Sequence, residues 1–121
     1  MKKLQGYVSS RDILRTRVPQ TIQNLVIRDY CKKNNYLYML SSTEYSMNEC
    51  FYMLEKSISE LKEVNGLVAY SINQLPIDSL YRKKILSRII LKKKSIHFAL
   101  ESFMIKNSND IVKLEELIYI I

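Results

Sequence analysis

The run Leu67-Val68-Ala69-Tyr70-Ser71-Ile72 constrains this chain more than any other stretch. It is too short for a buried helix and too continuously apolar for a strand with one wet face. It therefore reads as a central parallel strand covered on both sides. Asn65-Gly66 before it is a helix stop, with Gly66 expected in the left-handed conformation, and Asn73-Gln74-Leu75-Pro76 after it is a loop. Such a strand needs parallel neighbours joined by crossovers, and the rest of the chain supplies them.

Residues 4–9 read as a first strand, and from Val18 the pattern turns helical, with Val18, Ile22, Leu25, Val26 and Tyr30 at three- and four-residue steps. Pro19 suits the first helical turn. Asn34-Asn35 ends that helix, and residues 36–40 follow as a short apolar strand. Ser46 with Glu49 predicts a capping box opening a second helix whose buried face is Cys50, Met53, Leu54, Ile58 and Leu61. Asp78 caps a third helix running to about Lys93, residues 96–101 form a fourth strand, and Ser108-Asn109-Asp110 opens a last helix with Ile111, Leu114, Leu117 and Ile118 as its stripe.

The order βαβαβαβα predicts a single α/β domain over residues 1–121: a four-stranded parallel sheet in the order 2-1-3-4 with helices on both faces, a small flavodoxin-like arrangement. The 121 residues are enough for a core without disulfides or metals. Cys31 and Cys50 fall in predicted helices without ligand spacing and read as reduced thiols of a cytoplasmic protein. The start MKKLQGYV is not read as a secretory signal, and no run approaches the roughly 20 apolar residues of a membrane span. Of the net charge of +7, Lys32-Lys33 and Lys92-Lys93-Lys94 sit at predicted helix C-termini, where cations complement the dipole. A nucleic-acid surface ranks behind that reading.

In open parallel sheets ligands bind at the carboxyl ends of the strands, where the strand order reverses. Here that point lies between strands one and three. Strand one delivers Ser9, Ser10, Arg11, Arg15, Arg17 and Gln20 to it; strand two delivers Ser41, Ser42, Thr43, Glu44 and Tyr45; strand three delivers Ser71, Asn73 and Gln74; and strand four delivers Glu101 and Ser102. Three arginines beside a helix N-terminus suit an anion such as phosphate. Glu44 with Tyr45 forms a candidate proton-transfer pair. Ser9 and Ser10 lack the setting of a nucleophile's elbow and read as binding groups, and His97 reads as structural. With two glycines, Gly6 and Gly66, the chain has no dinucleotide turn and no phosphate loop, so no cofactor and no metal are expected.

Tyr7-Val8-Ser9-Ser10, the helix end Tyr30-Cys31 and the segment LVAYSINQLP resemble serine recombinase (resolvase) catalytic domains. In that family the last segment leads to a catalytic aspartate-arginine pair, whereas Asn73-Gln74 stands at the pair here. The serine and arginine spacing after Tyr7 also departs from the family pattern. The resemblance implies a shared fold without recombination. A second resemblance covers nearly the whole chain. GYVSSR, RVPQTIQNLVIRDYC, LSSTEYSM, GLVAYSINQLP and IHFALE are similar to sporadic carbohydrate cluster proteins, which are encoded among genes of surface-glycan biosynthesis. It implies a pathway and no particular reaction.

These readings give as first expectation a protein of bacterial surface-carbohydrate biosynthesis that binds a phosphorylated or nucleotide-linked sugar at the strand ends. Arg11, Arg15 and Arg17 would hold the anion, Gln20 and Gln74 would bond sugar hydroxyls, and Ser9, Ser10, Ser42, Thr43 and Ser71 would complete the site. Glu44 and Tyr45 would serve a cofactor-free isomerisation or epimerisation. The alternatives are an accessory subunit of a pathway enzyme and a resolvase-derived polyanion binder. The apolar tail from Leu117 to Ile121 suits either a homo-oligomer or the domain's own core.

Overall fold

The computed structural model describes residues 1–13, 16–47 and 50–120, with side chains described as far as residue 118. The chain runs β1 (Lys3–Ser9), α1 (Gln20–Lys33), β2 (Leu37–Glu44), α2 (Tyr52–Ser59), β3 (Gly66–Ala69), α3 (Ser79–Leu91), β4 (Ser95–Phe98), β5 (Phe103–Ile105) and α4 (Ser108–Ile120), with 3₁₀ turns at Leu61–Glu63 and Ile72–Gln74. Among the described residues the sheet has five strands in the order β2-β1-β3-β4-β5. β1 through β4 are parallel, and β5 is antiparallel to β4. The expected four-stranded parallel sheet is thus corrected to a mixed, five-stranded one. β5 has three residues, too few to show a period, and its turn uses Ser102 at φ 50° where a glycine would have announced a hairpin.

Strand alternation sorts the core into two layers. Tyr7, Leu67, Ala69, Ile96, Phe98 and Ile105 pack with Leu54 and Ile58 of α2, Ile85, Leu86 and Ile89 of α3, and Ile111 and Leu114 of α4. Leu4, Val8 and Val68 pack on the other face with Ile27 and Cys31 of α1. All four residues of β3 are buried, as a covered central strand requires. Burial pushes the Cys31 thiol up to about 11, which leaves it an inert core group.

Several local expectations change. The buried face of α1 is Gln23, Ile27 and Cys31, while Ile22 and Leu25 are exposed. A glutamine faces inward because its amide bonds strand backbone. Gly66 is not left-handed: it begins β3, where a Cβ would run into the Ser95 carbonyl oxygen, and positive φ falls instead on Asn35, Lys93 and Ser102 in other connections. α2 begins at Tyr52, after Cys50, and Glu44 supplies its cap; Glu49 of the expected capping box lies outside the described residues. β2 continues to Glu44, so Ser42 and Thr43 are strand residues. β4 ends at Phe98, which puts Glu101 and Ser102 in the turn before β5.

Arg82 of α3, 5% exposed, locks this layer to the loops above it. Its guanidinium meets both Glu115 carboxylate oxygens at 2.7 and 2.8 Å and donates to the carbonyls of Pro76 and Ile77 at 2.9 and 2.8 Å. A buried cation is tolerated when its donors are taken up in this way. No helix among the described residues is long and apolar enough to cross a membrane.

Candidate functional site

Ser9 is the last residue of β1 and has no exposed surface. Gln23 reaches it from α1: its Oε1 accepts the Ser9 N–H at 3.1 Å, and its Nε2 donates to the carbonyls of Ser9 at 2.7 Å and Val18 at 2.8 Å. Gln74 Nε2 then donates to both Ser9 Oγ and Gln23 Oε1 at 3.1 Å. Four bonds saturate the Gln23 amide. Gln74 owes its position to a capping box, in which its Oε1 accepts the Ser71 N–H while Ser71 Oγ accepts the Asn73 N–H. Glu101 closes the network, accepting from Ser71 Oγ at 2.7 Å and Ile72 N–H at 3.0 Å. Ser9, Gln23, Gln74, Ser71 and Glu101 thus form one hydrogen-bonded network with nearby backbone.

A second chain of bonds runs from Arg11 to α2. Glu44, 1% exposed, accepts from Tyr7 Oη at 2.8 Å, from the Met53 and Leu54 N–H groups at 2.8 and 3.1 Å, and from Cys50 Sγ at 3.7 Å. A carboxylate at a helix N-terminus is the favourable partner for those N–H groups. Tyr7 stays a neutral donor, because burial above all, and then Glu44, push its pKa far up against the opposing pull of Arg11. Arg11 donates to Cys50 O at 2.8 Å, Gln74 O at 2.9 Å and Tyr7 Oη at 3.3 Å, and stacks 4.4 Å over the Phe51 ring. Its partners among the described residues are neutral oxygens, and two of the five donors of a guanidinium remain.

Above this floor an open cleft of about 690 Å³ lies at the carboxyl ends of β1, β2 and β3, lined by Ser10, Arg11, Asp12, Arg17, Ser46, Phe51, Asn73, Leu75 and Ile77. Of the residues that the sequence nominates, Ser10, Arg11, Arg17 and Asn73 reach this cleft. Ser9, Ser71, Gln74 and Glu44 sit beneath it, sealed. Ser42 turns to Gln5 and Ser57, Thr43 is exposed, and Tyr45 packs against Tyr52 with ring centroids 6.1 Å apart. Gln20 opens α1 without lining the cleft, and Arg15 lies outside the described residues. Gln23 escapes a reading by pattern, although a glutamine four residues before Ile27 and eight before Cys31 is the signal that could have exposed it.

Neither a protein-family model nor a curated protein matches the chain. Solved structures do. The chain is similar to the N-terminal catalytic domain of TP901-1 integrase, with 13% identity, a TM-score of 0.65, and coverage of 96% of this chain and 92% of that one. It is also similar to a resolvase family site-specific recombinase from Streptococcus pneumoniae, with 11% identity, a TM-score of 0.64, and coverage of 97% and 87%. At such identities the likeness shows the fold: this is a resolvase-like α/β domain.

Proposed function

We propose that this domain uses a resolvase-like fold to bind a phosphate-bearing ligand in the strand-end cleft and performs no strand exchange there. One observation carries the reading: Ser9 is sealed, while Arg11 and Arg17 line the open cleft. A serine nucleophile needs access to its target and a base beside it. Ser9 has no exposed surface, and its hydroxyl accepts from an amide that cannot take a proton. Arg11 and Arg17, by contrast, line open space together with Ser10 and Asn73. Arg11 is held in place by carbonyls and an aromatic face, so a phosphate would meet a guanidinium already fixed in orientation.

The first phosphate source is a nucleic-acid backbone. The fold likeness to an integrase catalytic domain and a site-specific recombinase supports it, as does the net charge of +7. The second is a phosphorylated or nucleotide-linked sugar of surface-glycan biosynthesis. A cleft of about 690 Å³ is the size of a small-molecule site, and the resemblance of GYVSSR and LSSTEYSM to the carbohydrate cluster proteins points the same way.

Fluorescence anisotropy with a labelled duplex, followed by displacement with glucose 1-phosphate and UDP-glucose, tests both sources on the native chain and on Arg17→Ala. For a backbone ligand, affinity falls steeply with salt, and Arg17→Ala flattens the log–log slope by about 1. For a sugar ligand, UDP-glucose or the sugar phosphate raises the thermal stability of the native chain, by about 2.7 kcal/mol at 100 times its dissociation constant. Failure of every phosphate ligand to bind, or equal binding by Arg17→Ala, overturns the proposal.

A further inference from the structure

At the opposite, amino-terminal edge of the sheet a second cleft of about 530 Å³ gathers Lys2, Lys93, Lys94 and Lys106 around Ser95 and His97. The lysines come from three separate parts of the chain: the segment before β1, the turn between α3 and β4, and the residue after β5. Among the described residues no carboxylate lines this cleft. Like charges brought together from distant segments repel one another, and an anion placed between them removes that cost. Helix-end pairing does not account for the group, since Lys2 and Lys106 end no helix. Lys92, from the same basic run as Lys93 and Lys94, is different: it donates to the Ile58 carbonyl at 2.7 Å and does not line the cleft.

The side chains of the cleft are held by backbone and by one another. Lys94 Nζ is held by the Val64 carbonyl at 2.8 Å, and Lys93 takes a φ of 60° at the end of α3. Asn65 accepts the Lys3 N–H on its Oδ1, leaving its amide NH2 to donate. His97, 1% exposed, meets Tyr30 Oη at 2.7 Å through Nδ1 and Ser95 Oγ at 3.0 Å through Nε2. Burial, and then Lys2, lower the imidazole to about 4, so it is neutral near pH 7. Burial pushes Tyr30 up to about 12, so its hydroxyl keeps its proton where it meets Nδ1. When Tyr30 donates to Nδ1, the imidazole proton lies on Nε2 and bonds Ser95 Oγ, and the Ser95 hydroxyl proton is left for a ligand. Tyr36, Ile90 and Met104 give the cleft an apolar side.

We infer that this amino-edge cleft is a second ligand site, built for the diphosphate group of a small molecule, with Lys2, Lys93, Lys94 and Lys106 as the cationic ring and the Ser95 hydroxyl beside them. It stands independently of the strand-end cleft and involves no bond making or breaking. A diphosphate is compact and carries several charges, which matches four cations around one cleft.

His97 is the chain's single histidine, so its imidazole 15N signals report on this cleft alone. Sodium pyrophosphate is titrated into 15N-labelled native protein, Lys2→Gln/Lys106→Gln and Arg17→Ala at fixed ionic strength. Sulfate and a short duplex serve as parallel titrants. The expected result is a saturable shift of the His97 signals with pyrophosphate, at least tenfold weaker in the double lysine variant and unchanged in Arg17→Ala. The double variant removes two exposed lysines with no side-chain bonds among the described residues, so it keeps its fold. Three outcomes overturn the inference: no His97 shift at millimolar pyrophosphate, an equal shift with sulfate, or a shift with duplex but not with pyrophosphate. The Arg17→Ala arm separates failure here from failure at the strand-end cleft.

Discussion

The two ends of the sheet use polar chemistry in opposite ways. At the carboxyl end, Gln23, Gln74, Ser71, Glu101 and Glu44 bond to one another or to backbone, and only Ser10, Arg11, Asp12, Arg17, Ser46 and Asn73 offer polar atoms to the cleft above. At the amino end, the relay from Tyr30 through His97 ends on Ser95 at the cleft itself, and four lysines surround it. A dense polar rim is therefore a poor guide to a site. Polar residues that satisfy one another build a floor, and only groups with donors left over are free to meet a ligand.

The comparison can be broken first at the floor. Glu44→Ala leaves the Met53 and Leu54 N–H groups and the Tyr7 hydroxyl without their acceptor. Each buried group left unpaired costs about 1–3 kcal/mol, so urea denaturation should show a loss of about 3 kcal/mol. A loss below about 0.5 kcal/mol would mean that Glu44 is not a brace.

Next comes the amino end. His97 is lowered to about 4 from an ordinary value of 6.5, so between those values the unfolded chain binds more protons than the folded one. Stability is then fully present above pH 6.5 and declines as the pH falls towards 4. Between pH 7 and pH 5 the His97 contribution falls by about 2 kcal/mol, since each pKa unit is worth about 1.4 kcal/mol. Denaturation curves of native and His97→Asn at both pH values isolate it; the same pH dependence in both would place the imidazole in water.

Smaller effects separate the open arginine from the sealed serine. Arg17→Ala should weaken phosphate-ligand binding about tenfold, or about 1.4 kcal/mol, while shifting stability by less than about 0.5 kcal/mol, because the residue is exposed. Ser9→Ala should leave ligand affinity within about twofold of native, because its hydroxyl meets Gln74 and not the cleft.

The parallel order was legible because Leu67, Val68 and Ala69 are apolar without interruption, and a covered strand forces helices onto both faces. The position where strand order reverses followed from that. β5 was not legible, for Phe103–Ile105 is too short to carry a period. The floor was hidden for a different reason. Glu44 caps a helix whose N–H groups belong to Met53 and Leu54, and Gln23 bonds a strand fourteen residues away, so both pairings cross between elements. A glutamine within an amphipathic pattern reads as solvent-facing, and the three- and four-residue steps put Val18, Ile22, Leu25, Val26 and Tyr30 on the stripe, although Ile22 and Leu25 are exposed. Arginine was informative as a residue type, but sequence does not tell a brace such as Arg11 from an exposed group such as Arg17.

The decisive measurement is the affinity of one phosphate ligand, duplex DNA or the sugar compound that displaces it, for native protein, Ser9→Ala and Arg17→Ala under a single salt condition. Native-like binding by Ser9→Ala with an approximately tenfold loss in Arg17→Ala is the predicted result. Loss of binding in Ser9→Ala, with Arg17→Ala unaffected, would place the working group in the floor and contradict the division between sealed and open residues.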